Sequence, residues 1–351
     1  MPTTLKELAE RARVHPSTIS RVANQDPSLR IAAETRSRIE ALLRETEYRP
    51  NGVARGLKLR QTLVLAVVIP DITNPFFGAM FRGIEDGAAP RGYQVLLCNT
   101  DGSPDRQRSH MHNLIARRVD GVILASTFLK DPAVRWLRHQ HVPYVLVNRF
   151  SDEGQDPFVG SDDVAGAVLA TRHLIELGHT RIAHLAGSST VSTGVLRRRG
   201  FQAALAEAGL RSDPELQVES GFIEEGGMRA MDRLLDLAEP PTAVFAVTDM
   251  VAVGALTAAA RRGLDVPGDL AVVGYNDIPL AARLQPALTT VHVPIQEFGS
   301  AAARLLLEQI EFGRVVPRRV VYSPQVVVRG SSLRGAEAAV AGGFAANGPG
   351  E

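Results

Sequence analysis

The residues best suited to chemistry sit together near the amino end. Val14 to Asn24 reads V-H-P-S-T-I-S-R-V-A-N. At helical spacing Ile19 and Val22 share one face, and Ser17, Thr18, Ser20 and Arg21 point away from it. An arginine can grip a guanine edge through two hydrogen bonds, and Ser or Thr hydroxyls bond to bases or phosphates. That polar face therefore suits a DNA groove. Pro16 stands where a first helical turn begins, a position that tolerates its fixed φ and missing N–H. No comparable constellation points to catalysis. The chain has no G-x-S-x-G, H-E-x-x-H, phosphate-loop or Cys/His metal spacing. The adjacent pair Asp162-Asp163 does not make a carboxylate dyad, because neighbours on one segment rarely face each other. No enzyme activity, cofactor or metal site is expected.

The elements that must hold the polar face follow from its flanks. Upstream, T-L-K-E-L-A-E-R-A reads as a helix. Thr4 and Glu7 have capping-box spacing, and Leu5, Leu8, Ala9 and Ala12 form one apolar stripe. Two short helices joined by a tight turn make a helix-turn-helix, whose second helix enters the major groove. A third helix is expected over Ala33 to Arg44, with Ile39, Leu42 and Leu43 beneath the first two. Residues 1–60 carry 12 Lys and Arg against 7 Asp and Glu, whereas the remainder carries 27 against 31. A basic head on a mildly acidic body implies that the head alone meets a polyanion.

From Thr62 the pattern changes. Apolar runs recur at Leu63–Ile69, Tyr93–Cys98, Val119–Leu124 and Tyr144–Val147, then at Arg181–Leu185, Ala243–Val247 and Leu270–Gly274. Helical segments such as Gly78–Arg91 and Ala165–Leu177 lie between them. Continuous apolar strands alternating with helices imply doubly wound parallel sheets. Two series imply two lobes, with ligand at the carboxyl ends of the strands. The single cysteine, Cys98, lies inside an apolar run and reads as a buried thiol in a reducing compartment. The start M-P-T-T-L-K-E has no apolar signal core, and no stretch suits a membrane span. A cytoplasmic protein with no membrane partner is expected.

Several strand ends carry groups that can hold a small molecule. Phe76 and Phe77 follow the first body strand; one should anchor the helix and the other touch ligand. Arg149 ends the fourth strand and can donate to hydroxyls. Phe222 can close a pocket. Thr248-Asp249 ends another strand, where Asp249 either binds ligand or caps the next helix.

Residues 4 to about 333 resemble the lactose-repressor-type (LacI/GalR) family of bacterial transcription regulators. The resemblance rests on T-L-K-E-L-A-E-R-A, V-H-P-S-T-I-S-R-V-A-N, A-A-E-T-R-S-R-I and Y-R-P-N-G-V-A-R-G-L-K, in order and at family spacing. It implies a helix-turn-helix head over 1–50, a hinge helix or linker over 51–61, a two-lobed body of the periplasmic-binding-protein type over 62–333, and a disordered tail over 334–351. It also implies crossovers near Ser161, Val291 and Ser323. The implied partners are double-stranded, near-palindromic operator DNA, a second copy of the chain, and a small effector. Pro16, Ser17 and Arg21 take base-reading positions, with Thr18 and Ser20 nearer phosphate; Thr4, Asn24, Asn51 and Ala54 also fall at DNA-contacting positions, and Leu57 takes that of the minor-groove wedge. In the body, Arg197 matches the ligand-binding arginine, Asn276 a ligand-contact position, and Ser161 a place where an acid is common. The set resembles a saccharide pocket more than a nucleobase pocket. A repressor controlled by a sugar or sugar derivative is the first reading; a solute-binding or sensor protein, or a nucleobase as the effector, is the alternative. The chain departs from the pattern at Arg13, where glycine is usual, and at His15, where a serine cap is common.

Overall fold

The computed structural model describes residues 4–23, 26, 28–46, 61–315 and 317–333. Asn24, Asn51, Ala54, Leu57 and the 334–351 tail lie outside the described residues. The chain divides into two compact units, Met1–Leu63 and Val64–Glu351.

In the first unit, α1 spans Leu5–Ala12, α2 Pro16–Ala23 and α3 Ala33–Glu45. The capping box forms as expected: the Thr4 N–H donates to Glu7 Oε2 at 2.8 Å and the Glu7 N–H donates to Thr4 Oγ1 at 3.3 Å. Leu8, Ala12, Ile19 and Ile39 are fully buried, with Leu42 and Leu43 packed against them. The turn after α1 places Arg13 at φ 52° and ψ 47°. This is the left-handed conformation a glycine would adopt freely, so the arginine bears some strain there. Replacing the usual serine, His15 still caps α2. Its Nδ1 accepts the Ser17 N–H at 3.2 Å and lies 2.7 Å from Ser17 Oγ. A ring nitrogen with a free lone pair does here what a serine oxygen would do.

The second unit holds two six-stranded sheets. The first contains β1 (Val64–Ile69), β2 (Gln94–Asn99), β3 (Gly121–Leu124), β4 (Tyr144–Val147), β5 (Phe158–Ser161) and β11 (Arg319–Tyr322), in the order β11-β5-β4-β3-β1-β2. The second contains β6 (Ile182–Ala186), β7 (Gln217–Glu219), β8 (Ala243–Ala246), β9 (Ala271–Asn276), β10 (Thr289–His292) and β12 (Gln325–Val327), in the order β12-β10-β9-β8-β6-β7. Among the described residues only β12 runs antiparallel, pairing with β10. The central strands are buried on both faces, which explains why they read as unbroken apolar runs.

Helices cover both sheets. In the first lobe these are α4 (Pro75–Ala88), α5 (Pro104–Ala116), α6 (Pro132–His139) and α11 (Ile295–Phe312). In the second they are α7 (Asp163–Glu176), α8 (Ser192–Glu207), α9 (Glu224–Leu235) and α10 (Asp249–Arg261). A Cβ at Gly83 would lie 1.9 Å from the Gln296 carbonyl, and one at Gly299 would lie 2.1 Å from that of Met80. Glycine at both positions lets α4 and α11 approach to backbone contact. Cys98 is buried, and burial pushes its thiol pKa up. The chain crosses between lobes after β5, after β10 and after β11, close to Ser161, Val291 and Ser323. In each sheet the strand order reverses beside its first strand, β1 or β6, which opens a crevice at the carboxyl ends.

Candidate functional site

In the first unit, Pro16 and Ser17 are exposed on α2, while Thr18, Ser20 and Arg21 are half-buried. Ile19 and Val22 are turned into the core, as their spacing predicts. Arg21 is held within the unit: its Nε donates to Asp26 Oδ2 at 2.7 Å and its Nη2 to Ser28 Oγ at 2.9 Å. Arg21, then Ser28, holds the Asp26 carboxyl down at about 2. The sequence reading did not foresee this tether, because Asp26 lies beyond the helix end.

In the second unit, the strand ends enclose a cavity of about 480 Å³. Of the expected ligand residues, Phe76, Phe77, Arg149, Arg197, Phe222, Thr248 and Asn276 border it. Both phenylalanines do so, at 3% and 5% exposure, packed edge to face with centroids 5.1 Å apart. Both rings flank the same wall at the start of α4, so the cavity lining does not set one apart as the helix anchor. The Asn74 side chain accepts the Phe76 N–H at 3.0 Å and sets that start. Thr248 caps α10, its Oγ1 accepting the Val251 N–H at 3.3 Å.

Ser161 and Asp249 do not line the cavity. Asp249 lies behind it, accepting hydrogen bonds from the Thr290 hydroxyl and the Ile278 N–H. It is 1% exposed and acts as an internal brace between α10, β10 and the chain after β9. Sequence reasoning missed Asn148, Thr193, Asp101 and Arg229, all on the cavity wall. Asn148 sits at a strand end beside Arg149 and adopts φ 63°, so its place in the sequence was a usable signal.

Three polar atoms at this cavity are buried with no hydrogen-bond partner among the described residues: Arg149 Nε, Thr193 Oγ1 and Asn276 Oδ1. Buried polar groups are normally paired, so these three are exceptions; each atom is closed off behind the cavity wall, although its residue borders the cavity. The Arg149 guanidinium lies 4.6 Å above the Phe222 ring. Burial, then the nearby charge of Arg197, pulls its pKa down to about 10. Asn276 is held at φ 115° and Asp277 at φ 59°, both in the region that favours glycine. Asp277 is fixed by Arg329 at 2.7 Å and by His292 at 3.0 Å, which hold this strained segment in place.

Arg197 is the organising charge. Its Nε donates to Asp163 Oδ1 at 2.8 Å, its Nη1 to the Val247 carbonyl at 2.6 Å, and its guanidinium lies 3.6 Å from the Tyr275 ring centroid. Asp162, beside Asp163, is spent on capping α7 through the Ala165 N–H at 3.0 Å. The two acids thus do different work and make no dyad.

Two buried groups in this unit titrate with opposite sign. Burial pushes Asp249 from 3.8 up to about 7. Its stabilisation is therefore complete below pH ~4 and is lost as pH rises toward 7. Burial also pulls His184, stacked between Phe201 and Phe245 at 5.1 and 4.9 Å, from 6.5 down to about 4. Its stabilisation is complete above pH ~6.5 and is lost as pH falls to 4. The two slopes oppose each other between pH ~4 and ~6.5. Asp249→Asn is expected to remove one of them. Wild-type stability minus variant stability should fall by about 1.4 kcal/mol per pH unit over that range. Urea unfolding across pH measures this; a flat difference would rule out Asp249 as the titrating group.

The comparisons agree with this architecture. Residues 4–51 match the model for bacterial regulatory proteins of the lacI family, and residues 171–332 that for a periplasmic binding protein-like domain. The ribose operon repressor of Escherichia coli K12 is 37% identical over 331 residues, covering 94% of this chain and 99% of the relative. The lac repressor dimer bound to operator and the anti-inducer ONPF superposes with a TM-score of 0.85 at 28% identity, covering 95% of this chain and all of that one. A LacI family regulator from Enterococcus faecium with bound ribose gives a TM-score of 0.70 at 32% identity, over 77% of this chain and 98% of that one. No helix among the described residues is long and apolar enough to cross a membrane. With a helix-turn-helix head, a two-lobed ligand-binding body and relatives matched over nearly their full length, this chain belongs to the LacI family of DNA-binding transcription regulators.

Proposed function

We propose that the chain is a cytoplasmic, homodimeric repressor whose operator affinity is set by a monosaccharide of pentose size bound in the cavity of the body. The single observation that carries the ligand class is the polar lining of Arg149, Thr193, Arg197 and Asn276 in a cavity walled by Phe76, Phe77 and Phe222. Donor, hydroxyl and acceptor around aromatic faces match a ring that has hydroxyls at its edge and C–H groups on its faces. The relative named as a ribose operon repressor and the regulator with bound ribose support the same class. Ribose is the first candidate.

The head over 1–50 reads half-sites, with Pro16, Ser17 and Arg21 toward bases and Thr18 and Ser20 toward phosphate. Residues 51–61 form the hinge, with Leu57 as the wedge, and 62–333 form the sensing and dimerising body. Exposed Leu96, on edge strand β2, and exposed Leu280 are suited to a dimer face. Sugar held between the lobes favours one lobe arrangement, and operator favours one as well, so each ligand alters the affinity for the other.

A thermal-shift panel of pentoses, hexoses and nucleobases tests the ligand class, because a ligand specific to the folded state raises the melting temperature. A pentose should give the largest shift and should change operator affinity at least fivefold. A nucleobase response with none from sugars would overturn the ligand class. Phe222→Ala should weaken sugar binding by about tenfold, because it removes one stacking wall and the ring beneath Arg149. Isothermal titration measures it, and an unchanged Kd would take Phe222 out of the site.

A further inference from the structure

We propose a second ligand site on the body, separate from the sugar cavity, which takes a planar, mainly apolar ring compound. Past β3 the chain runs through Ser126 to Asp131 into α6, and the amino half of α5 lies alongside. Between these segments and residues 189–190 of the other lobe is a cavity of about 690 Å³, larger than the sugar cavity. Such a volume falls within the range of small-molecule sites, roughly 300–1,000 Å³. Its apolar wall is built from Met111, Phe128, Leu129, Pro132 and Trp136. A polarizable thioether beside aromatic rings suits a flat partner.

The polar lining beneath is already satisfied. The Asp131 carboxylate is 1% exposed and accepts from Gln107 Nε2 at 2.8 and 3.0 Å, from the Phe128 N–H at 3.0 Å and from the Ala133 N–H at 2.8 Å. The Ser126 hydroxyl donates to Gln107 Oε1 at 2.8 Å. With those groups paired to each other, the cavity selects for apolar surface. The polar side chains of its rim, Asp105, Arg108, His112, Lys130, Asp152 and Thr190, meet a polar edge of the compound.

The site spans both lobes. The Leu129 N–H donates to the Thr190 carbonyl at 2.9 Å, the Asp152 N–H donates to the Leu129 carbonyl at 2.9 Å, and the Phe150 N–H donates to Ser192 Oγ at 3.1 Å. The wall is therefore tied to the start of α8, the helix that carries Thr193 and Arg197 to the sugar cavity. A compound touching both 128–130 and 189–190 has its full contacts only in this lobe arrangement, so its binding is linked to that of the sugar. The linkage rests on the function proposed above, whereas the site itself does not.

Trp136 is the only tryptophan of the chain, so intrinsic fluorescence reports this cavity directly. The full-length protein is titrated with N-phenyl-1-naphthylamine, a neutral fused-ring amine. The expected result is saturable quenching of Trp136 with one probe per chain. Arg149→Ala, in the sugar cavity, should leave this unchanged. Ser189→Phe, an exposed substitution at the mouth, and Leu129→Asp, a charge in the apolar wall, should each weaken the probe at least tenfold while the melting temperature stays near wild type. Bound probe should shift ribose affinity at least fivefold. Quenching that does not saturate, that survives both wall substitutions in folded protein, or that ribose displaces competitively with loss in Arg149→Ala would overturn the second site. Equal ribose affinity with and without saturating probe would overturn the linkage. A chain that binds probe as expected but never responds to sugars would instead count against the proposed effector class.

Discussion

Replacing Arg197 by alanine is expected to abolish effector binding and to lower the stability of the body by about 3–5 kcal/mol. The guanidinium is 3% exposed and joins three things: the Asp163 carboxylate, the Val247 carbonyl and the face of Tyr275. Alanine leaves Asp163, itself 3% exposed, as a buried charge without its cation. Burial already holds the Asp163 pKa above its ordinary value, with Arg197 the main group opposing the shift. Without Arg197 the acid rises further and takes up a proton, so the variant should recover part of its stability as pH falls. The effect belongs to the broken pair more than to the lost arginine. A double variant, Arg197→Met with Asp163→Leu, should therefore unfold at higher urea than Arg197→Ala alone. It should still fail to bind effector, because the cavity has lost its organising charge. Urea unfolding and isothermal titration on the same three proteins check both statements. If the double variant is no more stable than the single one, the ion-pair account is wrong.

Arg21→Ala should cost about 1–3 kcal/mol of specific operator affinity, the worth of one two-pronged guanine contact. The operator would first be selected from random DNA by the wild-type chain. Binding to an unrelated duplex should change far less, because a base contact carries sequence information whereas a phosphate contact does not. Anisotropy titrations on both duplexes decide between the two: an equal loss on both would make Arg21 a phosphate ligand. The tether adds a second, signed expectation. Arg21 is bonded to Asp26 and Ser28 within the unit, so reaching a base requires it to share or release those bonds. Asp26→Ala should thus raise non-specific affinity by removing a negative charge beside the helix. Its effect on specific affinity shows whether the tether aims the arginine or merely restrains it.

Much of the head was legible because its determinants are local. Thr4 and Glu7 lie within one turn of each other, and Ile19 and Val22 share a face by helical geometry alone. His15 was harder: its capping role depends on which ring atom faces the Ser17 N–H, and residue type does not reveal that. In the body β1 to β4, β6, β8 and β9 announced themselves as apolar runs, whereas the buried β5 and β10 did not, because each is four residues long and interrupted by glycine or polar residues. β7 did not, because three residues at a partly exposed sheet edge carry no such run. The helix over Pro75–Ala88 begins three residues before the apolar pattern suggested, since the Asn74 cap and Pro75 set its start.

The sequence by itself determined most of the elements, the family and the basic head, because those follow from periodicity, capping and motif spacing within short stretches. Tertiary structure decided which side chains meet. Arg197, Arg198 and Arg199 are alike in sequence, yet only Arg197 lies buried on the cavity wall, because α8 turns that position toward Asp163 and Tyr275. Thr248 and Asp249 are adjacent, yet one borders the cavity and the other braces the core behind it. Thr193 and Asn276 lie more than eighty residues apart and become a site only when the start of α8 and the end of β9 converge. Pairings at that sequence distance are fixed by packing across the whole body, which no local window of sequence contains.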